Sequence, residues 1–186
     1  MSVNHNYENV RIVLFDRDSD VRQNLRSTLK KDTFTQTVAT SGAKTVHSAV
    51  YKDEVDLMIV DIDGNREEFH AMMHNIRHHK FGDNPFPVTI ALSSDSNFRN
   101  VRQTVGSGFD VMLLKPFSMA TFLGRVHHLM RARAPFVVTA DYIGPDRRTA
   151  MRANPKDNLI TVPNPLKIMA GGDTSVARMR NALKDG

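Results

Sequence analysis

Five short apolar runs, each followed by a segment with helical spacing, restrict this chain to very few folds. The third run is the clearest. Leu57-Met58-Ile59-Val60 is apolar on four consecutive residues, so both faces of the strand are buried, as in a parallel sheet. Arg11 to Phe15, Thr35 to Thr40, Pro87 to Leu92 and Phe109 to Leu114 read as the other four strands. After the first, Ser19 or Asp20 offers a helix cap, and Val21, Leu25 and Leu29 recur four apart. Residues 42–50, 67–78 and 97–105 repeat the pattern. A last helix is capped by Ser118 and runs to about Arg133, with Phe122, Leu123, Val126 and Leu129 on one face. Strands alternating with crossover helices predict an α/β, doubly wound, five-stranded parallel sheet.

Pro135 ends the alternation. Residues 135–186 contain five of the eight prolines and are expected to form a mostly extended tail with at most short elements and no independent domain. Thr174 to Leu183 is the best candidate there for a helix. Up to residue 134 the chain has 17 basic and 15 acidic residues; beyond it there are 8 and 5, so the tail is the more basic part. There is no cysteine, which excludes disulfides and thiolate metal sites and fits a reducing compartment. No apolar run approaches the ~18 residues that span a bilayer, and the first residues lack a signal pattern, so a soluble cytoplasmic protein without membrane insertion is expected.

In open α/β sheets, chemistry gathers at the carboxyl ends of the strands. The first strand delivers Asp16 and Asp18 there, the third Asp61, the fourth Ser93 and the fifth Lys115, followed by Pro116. Crowded carboxylates repel one another and attract a hard cation that accepts oxygen ligands, which Mg2+ does. A carboxylate beside such a cation is a nucleophile toward a phosphoryl donor, and Lys115 and Ser93 can hold the transferred oxygens.

Asp16, Asp61 after its apolar run, Ser93, and Leu114-Lys115-Pro116-Phe117 together make residues 9–134 resemble the receiver domain of response regulators. The resemblance implies a flavodoxin-like sheet of order 2-1-3-4-5. Asp61 would be the phosphoacceptor, fed by a histidine kinase or a phosphotransfer protein. Activity would be confined to self-phosphorylation from a donor and slow self-dephosphorylation. Mg2+ would be held by Asp16, Asp18, Asp61 and the backbone carbonyl of Asp63. A downstream protein would dock on the fourth helix, fifth strand and fifth helix. Two departures stand out. The family usually has two adjacent acids after strand one, and here the pair is Asp16-Arg17. Either Asp18 takes over as ligand, or metal binding is weak, or the domain is a receiver fold that is not phosphorylated. The aromatic usual three residues before Lys115 is Met112.

In the tail, Gly144-Pro145-Asp146-Arg147-Arg148 and the Arg148-x-x-x-Arg152 spacing resemble arginine-rich segments that bind cyclic di-GMP, with Arg147, Arg148 and Arg152 as contacts. The competing expectation is a solvated turn, or a strap in which Arg147 pairs with an acid on the receiver. An oligomerising adaptor or homodimer built through the tail is a third possibility. Several prolines prevent a pair of helices joined by a turn, so DNA binding is not expected. His74 and His78 lie one turn apart but lack a third ligand for zinc.

Overall fold

The computed structural model describes residues 7–52, 55–148, 158–162, 164 and 166. The elements in order are β1 (Ile12–Phe15), α1 (Ser19–Lys31), β2 (Thr37–Thr40), α2 (Ala43–Tyr51), β3 (Leu57–Asp61), α3 (Arg66–Arg77), β4 (Val88–Ser93), α4 (Phe98–Gly106), β5 (Val111–Leu114) and α5 (Met119–Arg131). They are followed by β6 (Phe136–Val138), β7 (Ile143–Pro145) and β8 (Asn158–Ile160). The first five strands are parallel, in the order β2-β1-β3-β4-β5. This is the doubly wound sheet that the sequence predicts.

Side chains alternate across the pleat and build a core on each face. Ile12, Leu14, Leu57, Ile59, Ile90 and Leu92 meet α1 and α5 through Leu25, Leu29, Phe122 and Val126. Val13, Phe15, Met58, Val60 and Ala91 meet α2 and α3 through Val46, Val50, Phe69 and Met73. Each such side chain contributes about 1.5–3 kcal/mol on leaving water. The first helix is capped one residue earlier than expected. Asp18, not Ser19 or Asp20, accepts from the amides of Asp20 and Val21. A carboxylate two and three residues ahead of those amides reaches both, whereas Ser19 and Asp20 are already helical.

The tail, expected to be mostly extended with at most short elements, contains three short strands among its described residues. β6 pairs antiparallel with β7 and β8, giving a second, three-stranded sheet. It covers the amino-terminal edge of the main sheet. Phe136 is buried between Phe86 and two guanidiniums, Arg77 at 5.0 Å and Arg133 at 4.8 Å from its ring centre. Those cations close on Asp110, whose carboxylate accepts from Arg77 Nη2 at 3.1 Å and from Arg133 Nε at 2.7 Å. Thr89 donates to the same carboxylate through its amide and hydroxyl. Gly108, at φ +97, lets the chain turn where the carbonyl of Ile143 comes close; a Cβ there would lie 2.9 Å from that oxygen. Farther on, Asn164 donates to the carbonyls of Leu129 and Met130 at the end of α5, and Leu166 enters the core beside α5.

Candidate functional site

Three of the expected residues converge at the carboxyl edge. Lys115 Nζ lies 2.9 Å from Asp16 Oδ2 and 3.3 Å from Asp61 Oδ2. Its position is fixed from behind, because the Lys115 amide donates to the carbonyl of Ser93. The Lys115–Pro116 bond is cis. Asp16 is fully buried and its second oxygen accepts from the amide of Asp18. Asp61 retains 7% exposure, enough for an oxygen to meet a donor at the surface. Burial holds the Asp61 carboxyl above the usual range, although the amide of Asp63 and the charge of Lys115 pull the other way. For Lys115 burial would lower the pKa, but Asp16 and Asp61 outweigh it and keep the ammonium more basic than usual.

The remaining candidates are arranged differently. Ser93 is tied to Asp63. Its hydroxyl donates to Asp63 Oδ1 at 2.6 Å, and the Ser94 amide donates to Asp63 Oδ2 at 2.7 Å. Asp63, expected to act through its carbonyl, thus also ties the loop after β3 to the loop after β4 through its side chain. Burial alone would raise its pKa, but these donors hold the carboxylate below the usual range. Arg66 extends the link, lying 3.7 Å from Asp63 and 3.0 Å from Asp95. Asp95 in turn accepts from Asn100 on α4.

Asp18 spends one carboxylate oxygen on the α1 cap, and the two amides it accepts from lower its pKa. Arg17 reaches from the loop after β1 to the loop after β3. Its guanidinium lies over Gly64 and donates to the side-chain oxygen of Asn65. Among the described residues, no three His, Asp or Glu side chains come together to hold a metal ion. Receiver domains generally bind Mg2+ at an acidic pocket. Here the donor set is Asp16 and Asp61, both already facing Lys115, with a guanidinium at the position of the usual second acid. These residues do not fit a divalent ion well.

In the tail, Arg147 donates to the carbonyls of Phe109 and Asp110, so it straps the tail to the receiver by backbone rather than by an acid. Arg148 pairs with Asp146 through two nitrogens. Arg152 and the helix expected at 174–183 lie outside the described residues. The rings of His74 and His78 lie 4.1 Å apart and tilted, and among the described residues they belong to no group of three that could hold a metal ion.

A five-stranded doubly wound sheet with Asp61 at the carboxyl end of its third strand, beside Asp16 and Lys115, defines a receiver fold. The family model described as "Response regulator receiver domain" matches residues 12–127, and the chain belongs to that family. The transcriptional regulatory protein PrrA of Mycobacterium tuberculosis is 30% identical over 123 residues, covering 66% of this chain and 51% of that protein. Response regulator MprA of Mycobacterium leprae is 27% identical over 126 residues, covering 68% and 53%. The chain therefore spans about half the length of these curated relatives. A response regulator from Thermotoga maritima has the same fold, with TM-score 0.56 at 21% identity, covering 66% of this chain and 99% of that one.

Proposed function

We propose that this receiver takes a phosphoryl group on Asp61 and passes the signal on by protein–protein contact, with no DNA-binding part in residues 135–186. The observation that carries the reading is the shared ammonium: Lys115 stands within 3.3 Å of Asp61 and 2.9 Å of Asp16. A carboxylate oxygen of Asp61 attacks phosphorus, the P–N bond of a phosphohistidine breaks, and the imidazole leaves neutral because its other nitrogen carries the proton. The P–O bond to Asp61 forms, and Lys115 neutralises the added charge. The Asp63 amide already donates to Asp61 at 3.2 Å, and Ser93 and the Ser94 amide would be further donors if they left Asp63.

Receiver domains work with histidine kinases or phosphotransfer proteins, and one of these is the expected donor. The exposed Phe98 on α4 and Leu114 on β5 supply apolar area for a downstream protein on the α4–β5–α5 face. Incubation with a small-molecule phosphodonor, read by intact mass, tests the proposal. The wild type is expected to gain one phosphoryl group and Asp61→Asn none; an unlabelled wild type would refute it. A second reading, a receiver fold that binds partners without being phosphorylated, is favoured by Arg17 in place of the usual second acid, and the same measurement decides. Binding of cyclic di-GMP would require Arg147 and Arg148 to leave their partners and has no part in the proposal.

A further inference from the structure

We infer that Arg17, standing where the usual second acid would be, keeps divalent ions from the edge at which Asp16 and Asp61 end. The inference concerns the same edge as the phosphoacceptor reading but needs no phosphorylation. Three observations carry it.

The first is the seat. Gly64 has φ +77 and no Cβ, and a Cβ there would stand 2.6 Å from Arg17 Nη1. The positive φ favours glycine at this turn, and the guanidinium of Arg17 lies in the space beside it. The second is the anchor. Arg17 Nη2 donates to Asn65, and Asn65 Nδ2 donates to Glu68 Oε2 at 2.6 Å, so the receiving amide is itself fixed from α3. A side chain from the loop after β1 is therefore joined to the loop after β3, directly across the edge where Asp16 and Asp61 end.

The third is the donor set. Asp18 gives one oxygen, Oδ1, to the amides of the α1 cap. Asp63 gives both oxygens to Ser93 and Ser94. Asp16 and Asp61 share Lys115. A small hard dication requires several oxygen ligands in near-octahedral order and gives up its waters reluctantly. To ligate Asp16 or Asp61 it would have to compete with the Lys115 ammonium, with the Arg17 guanidinium lying beside Gly64. Arg22 adds to the opposing charge, since its Nη1 donates to the carbonyl of Asp16 at 2.7 Å. The positive charge that a bound ion would bring to Asp61 is already supplied from within the chain.

The test is a Mg2+ titration of the full chain, without any phosphodonor, followed by 1H–15N shifts of the amides of residues 61–65. NaCl matched in ionic strength is the control. Wild type is expected to show no saturable shift at millimolar Mg2+, while Arg17→Asp, which restores an acid and removes the guanidinium, shows one. Arg17→Asp/Asp61→Asn should lose it again, which places the ion at this edge. Saturable shifts in the wild type would overturn the inference. So would silence from both proteins, because Arg17 would then not be what keeps the ion out; Arg17→Ala, read in the same way, guards against a variant that fails to fold. Failure of Asp61 to be phosphorylated leaves each of these outcomes readable.

Discussion

Asp110→Asn attacks the junction between the receiver and its tail with the smallest possible change of shape. Asp110 is buried, and its oxygens accept from Arg77, from two nitrogens of Arg133, and from the Thr89 amide and hydroxyl. Burial would raise its pKa, but the guanidiniums of Arg133 and Arg77 more than compensate and hold the carboxylate below the usual range. Arg77 is pushed down to about 10 by burial and is still a cation at neutral pH. An asparagine removes the one negative charge between two buried cations, and its NH2 faces donors whichever way the amide turns. Removing one partner of a buried pair costs about 3–5 kcal/mol. In a chain of this size each kcal/mol moves the melting temperature by about 2–4 °C, so a fall of about 10 °C is expected. Urea unfolding followed by far-UV circular dichroism is the suitable assay, since the chain has no tryptophan. A loss below about 1 kcal/mol would refute the reasoning, because that is the value of a pair that water reaches.

Asp61→Asn is expected to be more stable than wild type at pH 7. The folded state holds this carboxyl above its ordinary pKa, so its ionisation opposes folding above that folded value. The advantage should disappear in melts taken below about pH 4, where the unfolded carboxyl is protonated as well. Asp110 has the opposite sign: its stabilisation is present above the ordinary carboxylate range and is lost as pH falls through its lowered folded value, so Asp110→Asn should show a shallower acid limb. Phe136→Ala removes the ring between Arg77, Arg133 and Phe86 and should cost about 3–5 kcal/mol, read by urea unfolding; an unchanged midpoint would mean that the tail sheet contributes nothing to the receiver. Asp18→Ala should lower the melting temperature through loss of the α1 cap and leave phosphodonor labelling of Asp61 unchanged; a large loss of labelling would return Asp18 to the pocket.

The fold was legible because strands buried on both faces leave long apolar runs and amphipathic helices leave a 3.6-residue stripe. Asp16, Asp61 and Lys115 were legible for a related reason: a residue at a strand end has its place set by the sheet. Ser93 and Asp63 were harder, because their pairing depends on how two loops lean toward each other, and loop conformation has no periodicity. Arg77 lies near a helix end, where a basic residue is ordinarily exposed. Its spacing held the signal: Phe69, Met73 and Arg77 fall four apart on the buried face of α3, and a charge on that stripe implies a buried partner. That partner, Asp110, lies 33 residues on, just ahead of β5, so the pair could not be found from local sequence. The tail sheet was missed because β6, β7 and β8 are three residues each, too short for alternation to register.

Asn164 closes the last turn of α5, and Arg133 just beyond that helix grips the carbonyls of Phe86 and Pro87 as well as Asp110. These bonds tether the base of α5 to the loop that leads into β4 and to the tail, so any tilt of the helix that leaves them intact would be largest at its other end, near Phe117 and Ser118.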